Sequence, residues 1–222
     1  MSYEKEIDEK ITKNIELPDR MELSILKYFW QASPLSSGGE AIIPKYLRKV
    51  KVLKNFSDYE LQIFSRFLHI RHFNSKEVVF NQEDTGVGFY FILSGEVEIW
   101  AKTYKVDNNN EVIDDEEQFS SSQVNLIATL ERKDHFGELA LLQDNSTRTA
   151  SAIAKENCCL LGIFKPDMDE LINSHPVVGA KLLQSISIIL ANRLSSVTTE
   201  MKILKFKLFE KEGYEHKSEY QK

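Results

Sequence analysis

An acid and a base stand ten residues apart in the stretch 136–150, which reads FGELALLQDNSTRTA. Glu138 is the acid and Arg148 is the base, and the apolar run 139–142 and the polar loop 143–147 lie between them. A guanidinium presents a planar fork of N–H donors that suits a phosphate. A carboxylate repels a phosphate but accepts hydrogen bonds from sugar hydroxyl groups. The pair therefore predicts a site for a small molecule with one phosphate and one ribose.

The backbone between these two residues also suits an anion. Gly137 precedes the acid, and a residue without a Cβ lets a ligand approach the chain closely. The apolar run has room for one helical turn, whose free N–H groups would point back at Gly137 and Glu138 and bind an anion. The hydroxyl of Thr149 is within reach of a phosphate or a base, although threonine equally suits a β-strand here.

FGELALL followed by RTA at this separation resembles the phosphate-binding cassette of cyclic-nucleotide-binding domains. This module is shared by bacterial catabolite activators, cyclic-nucleotide-dependent kinases and gated channels. The resemblance implies that Glu138 holds the ribose 2′-hydroxyl, that Arg148 holds the cyclic phosphate, and that the backbone of Gly137 and Leu139 contributes. The expected ligand-contacting residues are Gly137, Glu138, Leu139, Arg148, Thr149 and Ala150.

The resemblance leaves the base of the ligand open between cyclic AMP and cyclic GMP. In this family a threonine directly after the arginine often accompanies binding of cyclic GMP. Bacterial cyclic AMP receptors carry Ser or Thr at the same place, so Thr149 does not decide between the two. No cofactor other than this ligand is expected.

A change of apolar period from 3.6 to 2 over residues 77–100 predicts the strands that must hold the cassette. Strands are expected at 78–80, 89–93 and 97–100, with a tight turn at Ser94-Gly95. The run GFYFILSGEVEI again resembles the family. The family often has glycine before the first of these strands and before the cassette, where this chain has Lys76 and Lys133. We expect changed turns there and retained binding.

Helices are predicted on both sides of the strands. Residues 1–31 form a helical pattern broken at Leu17-Pro18, and 33–40 is a linker rich in Gly, Ser and Pro. The pattern is helical again over 44–70, where Ser57 to Glu60 is a capping-box-like start for a helix at 59–69. The segment 49–73 resembles the helical lead-in of the same family.

The polar segment 105–123 interrupts the strands. Low apolarity and a run of three asparagines favour a solvated loop, and the ligand spacing and glycine of a calcium loop are missing. Strands resume at 124–130 and twice within 150–163. Short strands at this spacing predict a small roll or sandwich.

A helical pattern of more than 30 residues runs from Pro176 to about Glu210. Its apolar stripe repeats every three or four residues, as in a helix seam. One small barrel is too short to cover it, so we expect a homodimer through this helix. The stripe consists of Leu183, Ile186, Leu190, Leu194, Val197, Met201, Leu204 and Leu208.

The same helix is the expected lid over the base. ANRLSSVTTE resembles the catabolite-activator helix, whose hydroxyl groups meet the adenine edge from both subunits, although an exposed polar face explains the cluster as well. The candidate lid residues are Ser195, Ser196, Thr198 and Thr199. A winged helix-turn-helix follows this helix in catabolite activators, and the polar residues after 210 are not expected to form one.

Together these patterns predict an α+β fold, a cyclic-nucleotide-binding β-roll (a jelly-roll-like barrel) flanked by N-terminal helices and a long C-terminal helix. The expected divisions are an N-terminal helical extension at 1–45 and the roll with its lead-in helices at 46–165. C-terminal helices follow at 166–210 and a polar tail at 211–222. The extension is expected to dock a protein effector.

Composition limits the partners. The chain has 222 residues and a net charge of −6, which argues against general electrostatic binding of nucleic acid. No run of about 18 apolar residues predicts a membrane span, and the charged N-terminus does not resemble a signal peptide. Cys158 and Cys159 are adjacent and suit neither a metal site nor a disulfide framework. We therefore expect a cytoplasmic protein.

Two other functions remain open. A cupin-type metalloenzyme shares the double-sheet roll, but the predicted strands carry no histidine, and the pair His69 and His72 has no acidic partner in a known pattern. No nucleophile motif is present, so the sequence predicts a protein that is not an enzyme and has no metal. The other alternative is a nucleotide-free structural module for dimerisation, which would have no need of the pair Glu138 and Arg148.

Overall fold

The structure is a computed structural model that describes residues 2–15, 17, 42–103, 123–143 and 146–219. Two one-turn 3-10 helices, Lys51–Leu53 and Glu138–Leu141, accompany the regular elements. The helices are α1 (Tyr3–Thr12), α2 (Ile42–Leu47), α3 (Asp58–Ser65), α4 (Lys165–Ser174) and α5 (Pro176–Glu219). The strands are β1 (His69–Phe73), β2 (Val78–Phe80), β3 (Gly88–Ser94), β4 (Val97–Thr103), β5 (Gln123–Leu130), β6 (His135–Phe136), β7 (Ser151–Ala154) and β8 (Cys158–Phe164).

The strands form two four-stranded antiparallel sheets with the orders β1-β8-β3-β6 and β2-β7-β4-β5. An apolar cluster with residues from both sheets fills the space between them and includes Phe80, Tyr90, Phe136 and Phe164. The predicted α+β fold, a β-roll with helices at both ends and a long C-terminal helix, is therefore confirmed.

Strands β3 and β8 are buried on both faces, which explains their nearly continuous apolar sequences. Their second face packs against the helices. Phe91 meets Phe64 of α3 with ring centroids 5.9 Å apart, and Leu182 and Ile186 of α5 belong to the same apolar cluster. The start of α5 is therefore fixed to the sheet that carries β6 and the cassette.

The lead-in to the roll differs from the sequence prediction. The capping box at Ser57 and Glu60 is present, but α3 ends at Ser65, and residues 69–73 form β1 instead of continuing a helix. Two long-range interactions explain this change. β1 pairs with β8, and His69 is buried against Asp167 of α4 with Nε2 3.0 Å from Oδ2. Such partners are distant in sequence and leave no local pattern.

Lys76 and Lys133 both adopt left-handed backbone conformations, with φ of 67° and 83°. Glycine favours these conformations, and lysine pays a steric cost for them. Each lysine N–H bonds to a strand carbonyl, Lys76 to Ala154 at 2.7 Å and Lys133 to Ile92 at 3.0 Å. These bonds hold a backbone conformation that glycine favours at both lysines, and the expectation of changed turns stays a prediction.

The beginning of the predicted N-terminal extension is part of the roll. Tyr3 and Ile7 of α1 are buried in the cluster between the sheets, and the ring of Tyr3 meets Phe73 edge-on at 5.5 Å. The expected division at residue 45 therefore does not hold for α1. Residues 18–41, which include most of the remaining predicted helix and the linker at 33–40, lie outside the described residues. The polar segment at 105–122 does so too.

Helix α5 is longer than predicted and has two different halves. Val178, Leu182 and Ile186 are buried, whereas Leu194 and Leu204 are 68% and 61% exposed. The helix continues to Glu219, so the segment 211–219 is helical and is not a separate tail. By length and composition alone, Pro176–Phe209 is long and apolar enough to cross a membrane, which the sequence analysis did not predict. Core helices of soluble proteins meet the same two criteria.

Candidate functional site

The cassette begins with a glycine that its geometry requires. Gly137 has φ +84°, and a Cβ there would lie 2.8 Å from Arg148 Nη1 and 3.0 Å from the Gly88 carbonyl oxygen. Only a residue without a side chain fits this space easily. The helical turn predicted after it is present as the 3-10 helix Glu138–Leu141.

A cavity of about 370 Å³ lies between the cassette and the other sheet. Its size is in the range of small-molecule sites. One wall is apolar and comes mainly from β4 and β5, and the opposite wall is the cassette. All six residues predicted to contact a ligand line it. The lining consists of Phe80, Ile99, Ile127, Ala128, Leu130, His135, Phe136, Gly137, Glu138, Leu139, Ala140, Ser146, Thr147, Arg148, Thr149, Ala150 and Arg193.

Glu138 is almost completely buried, with 1% of its surface exposed. Its Oε1 accepts a hydrogen bond from Arg193 Nη1 of α5. Among the described residues, no hydrogen-bond partner reaches its Oε2. A buried acceptor without a partner is costly. This oxygen is therefore available to a hydroxyl group that enters the cavity.

Arg148 is also buried, and its guanidinium is engaged away from the cavity. Nε donates to Glu4 Oε2 at 2.5 Å, and Nη2 donates to Glu4 Oε1 and, at 2.6 Å, to the Gly88 carbonyl. Nη1 donates to the Gly137 carbonyl at 3.0 Å. These contacts use four of the five N–H donors of the side chain. The predicted phosphate ligand therefore meets an arginine that already has an anionic partner.

That partner, Glu4 of α1, has no exposed surface. Its Oε1 accepts hydrogen bonds from the backbone N–H groups of Val87 and Gly88, at 3.0 and 2.8 Å, and from the Tyr90 hydroxyl at 3.4 Å. Burial raises the pKa of Glu4, and the bonds from Arg148 and from the two amides oppose that rise. The sequence did not reveal this residue, since it is one acid in a charged helix.

The hydroxyl cluster predicted as a lid lies elsewhere. None of Ser195, Ser196, Thr198 and Thr199 is among the residues that line the cavity. Within the described chain, α5 contributes Arg193 instead, which the sequence prediction missed. Thr199 bonds to the Ser195 carbonyl of its own helix at 2.9 Å. A contact between these hydroxyl groups and a base stays a prediction.

The remaining candidate ligands for a metal are dispersed. No group of three His, Cys, Asp or Glu side chains suited to a metal ion occurs among the described residues. Cys158 and Cys159 are buried, and burial raises their thiol pKa values to about 11 and about 12.

His135 lines the cavity, and its buried Nε2 has no partner among the described residues. Burial lowers the pKa of His135 below its ordinary value of 6.5.

Residues 70–175 match the family model of the cyclic nucleotide-binding domain. The cyclic AMP receptor protein of Thermus thermophilus is 30% identical over 67% of this chain and 57% of its own. The human cGMP-dependent protein kinase 2 is 28% identical over 52% of this chain and 13% of its own. The crystal structure of the Thermus thermophilus catabolite activator protein superposes with a TM-score of 0.56 and 25% identity, over 70% of this chain and 63% of that one.

These matches, with the roll and its cassette, identify residues 70–175 as a cyclic nucleotide-binding domain. The predicted resemblance is therefore confirmed. The chain spans 57% and 13% of the length of the two curated relatives.

Proposed function

We propose that this protein is a receptor for a cyclic mononucleotide and that it is not an enzyme. The observation that carries the proposal is one buried acid and one buried base on the wall of the same cavity, Glu138 and Arg148, in a domain of this family. A buried, separated pair of this kind suits a ligand with a sugar and an anionic group better than it suits packing.

Each part of the ligand is assigned to one part of the cavity in this proposal. Arg148 would hold the phosphate together with the backbone beside Gly137, and Glu138 Oε2 would accept the ribose 2′-hydroxyl. The apolar wall, with Ile99 and Leu130, would cover the base. The relatives include a cyclic AMP receptor and a cGMP-dependent kinase, so the proposal includes both nucleotides.

Signal transmission is proposed to pass through α5. Arg193 connects this helix to Glu138, the residue assigned to the sugar. A ribose hydroxyl on Glu138 Oε2 would share the carboxylate with Arg193, which donates to Oε1, and would therefore change the preferred position of the helix. The ligand shifts the population of helix positions by its difference in affinity for them.

A second copy of the chain is the proposed partner of α5. Its stripe residues Leu194, Val197, Met201, Leu204 and Leu208 are all exposed by about half or more. The beginning of the helix is held by its own roll, with Lys181 2.7 Å from Glu60. The exposed half repeats with heptad spacing, which favours a matching helix over a membrane.

The competing function is a structural module that dimerises without nucleotide. It is supported by the internal ion pairs, because Glu4 and Arg193 already neutralise the two cassette charges. The two functions differ in whether any nucleotide binds, and the following titration separates them.

The test of the sugar site uses ribose and 2′-deoxyribose forms of cyclic AMP and cyclic GMP. The unchanged protein should bind the ribose form more tightly, by about 1.5–3 kcal/mol for a bond to a charged group. Glu138→Gln should reduce that discrimination, since an amide oxygen is a weaker acceptor. Equal discrimination in both proteins would remove Glu138 from the sugar site, and binding of neither form would favour the structural module.

A further inference from the structure

The most heavily bonded side chain near the cavity belongs to α1 and not to the cassette. The carboxylate of Glu4 accepts from the guanidinium of Arg148, from two backbone amides and from a tyrosine hydroxyl. This set of donors is a cradle for an anion. Glu4 therefore takes the same fork of N–H groups that a ligand phosphate would need.

We propose that Glu4 is a built-in competitor of the ligand phosphate and that ligand binding releases α1 from the roll. The proposal rests on the receptor function above and adds its regulation. Arg148 lines the cavity while both Nε and Nη2 donate to Glu4. With four of its donors used, only one N–H of Arg148, on Nη1, is without a partner among the described residues. A bidentate bond to a phosphate requires Glu4 to leave.

The rest of α1 is attached in a way that allows release. Only Ser2, Tyr3, Glu4 and Ile7 of the described N-terminal residues are buried. Ser2 donates to Asp84 at 2.6 Å, and Tyr3 and Ile7 enter the cluster between the sheets. Ile11 and Leu17 also pack, half-buried, against this cluster. Because α1 belongs to neither sheet, the helix can detach without breaking strand pairing.

The buried ion pair between Glu4 and Arg148 can be exchanged for a ligand because it contributes little net stability. Burial of a charged pair costs desolvation energy of about the same size as the attraction that it gains. A ligand that supplies a new anion to Arg148 replaces the lost partner. The Glu4 carboxylate regains water at the same time, so the main cost of the exchange is the apolar contact that Tyr3 and Ile7 lose.

Release of α1 would give the receptor a second route of signal transmission, in addition to the movement of α5. In the free protein, Glu4 holds α1 on the roll and Arg193 of α5 bonds to Glu138. Each terminal helix thus pairs one of its side chains with a cassette residue of opposite charge: α1 pairs Glu4 with Arg148, and α5 pairs Arg193 with Glu138. A cyclic nucleotide would replace Glu4 on Arg148 and would bind Glu138 beside Arg193, and the freed face of α1 would present Tyr3 and Ile7.

The test compares three variants of the full chain by calorimetry with cyclic AMP and cyclic GMP. Glu4→Gln keeps the shape of the side chain but removes the anion, so affinity should rise by about tenfold or more. Ile7→Ala weakens the docking of α1 without touching Arg148 and should also raise affinity. Glu6→Gln is the matched control, because Glu6 is exposed on the same helix and pairs with Lys10. It should bind like the unchanged protein.

Hydrogen exchange of residues 2–12 in the unchanged protein provides the second measurement. Saturating nucleotide should increase exchange in this segment, and Glu4→Gln should show increased exchange without ligand. Equal affinity of all variants with unchanged exchange on ligand addition would overturn the inference and leave the receptor function intact. Binding of neither nucleotide to any variant would overturn the receptor function and the inference together. Binding to Glu4→Gln alone would support both.

Discussion

At the scale of single residues, the site combines two charges that would be costly without partners. Glu138 and Arg148 are buried at 1% and 6% exposure, and each is neutralised by a side chain from a terminal helix. The phosphate of the proposed ligand would neutralise Arg148, and its ribose hydroxyl would bond to the free oxygen of Glu138. The effect of each substitution therefore includes the loss of an internal pair as well as the loss of a ligand contact.

Arg148→Ala should abolish or strongly weaken nucleotide binding, by at least about 1.5–3 kcal/mol. It should also destabilise the fold, because Glu4 would be left buried without its cationic partner. The double variant Glu4→Gln with Arg148→Ala should regain stability without regaining affinity. Calorimetry and chemical denaturation of the three proteins check this. Affinity within twofold of the parent would contradict the phosphate assignment.

His135 should make stability fall in mildly acidic solution. Burial lowers its pKa in the folded state below 6.5, while Glu138 nearby opposes that shift. As the pH falls through the unfolded value, the unfolded chain takes up a proton that the folded chain does not, so the free energy of unfolding decreases. Denaturation at about pH 8 and about pH 5.5 measures this. His135→Gln should show a smaller pH dependence, and an equal dependence would contradict the assignment.

Sequence reasoning reached the cassette residues but not their internal partners. The spacing of Gly137, Glu138 and Arg148 is local and leaves a recognisable pattern. Glu4 reaches Arg148 across 144 positions of the chain, and Arg193 reaches Glu138 across 55. No periodicity or motif marks such contacts, since only the fold brings them together.

At the scale of elements, the strands with strong alternation or continuous apolar runs were predicted correctly. Those that depend on a distant partner were missed. β1 consists of a mixed sequence, HIRHF, and exists because β8 pairs with it and Asp167 holds His69. β6 has two residues, too few for a pattern. The two lysine turns likewise follow from bonds to strands that the local sequence does not specify.

Lys133→Gly should stabilise the protein by about 1 kcal/mol. The residue has φ +83°, and glycine removes the steric cost of this conformation, although it loses more backbone entropy on folding. Lys133→Ala is the matched control, because it removes the charge but keeps the Cβ, and it should not stabilise. Thermal unfolding measures both variants. A gain for alanine equal to that for glycine would show that charge, and not backbone strain, is responsible.

At the scale of the whole molecule, α5 extends beyond its own roll and presents an apolar stripe to solvent. Leu194 and Met201 are 68% and 48% exposed on this stripe. Two copies of the helix would cover each other, and Arg193 would link that seam to the cavity. Dimerisation and ligand binding are therefore expected to be coupled.

The double variant Leu194→Glu with Met201→Glu should be monomeric and should bind nucleotide more weakly. Each chain would bring two like charges into the seam. The control carries glutamate at Asn192 and Lys202 of the same helix, outside the stripe, and should remain dimeric. Light scattering with and without ligand measures the mass. A parent protein that is monomeric at tens of micromolar in both states would contradict the dimer.

Calorimetric titration of the unchanged chain with cyclic AMP, cyclic GMP and the linear 5′-monophosphates tests the central claim most directly. We predict that at least one cyclic nucleotide binds with one site per chain. A linear monophosphate should bind more weakly, because its phosphate is not tied to the ribose in a ring and loses more freedom when Arg148 and Glu138 hold both groups. Equal binding of cyclic and linear forms, or no binding to either the unchanged chain or Glu4→Gln, would contradict the receptor function.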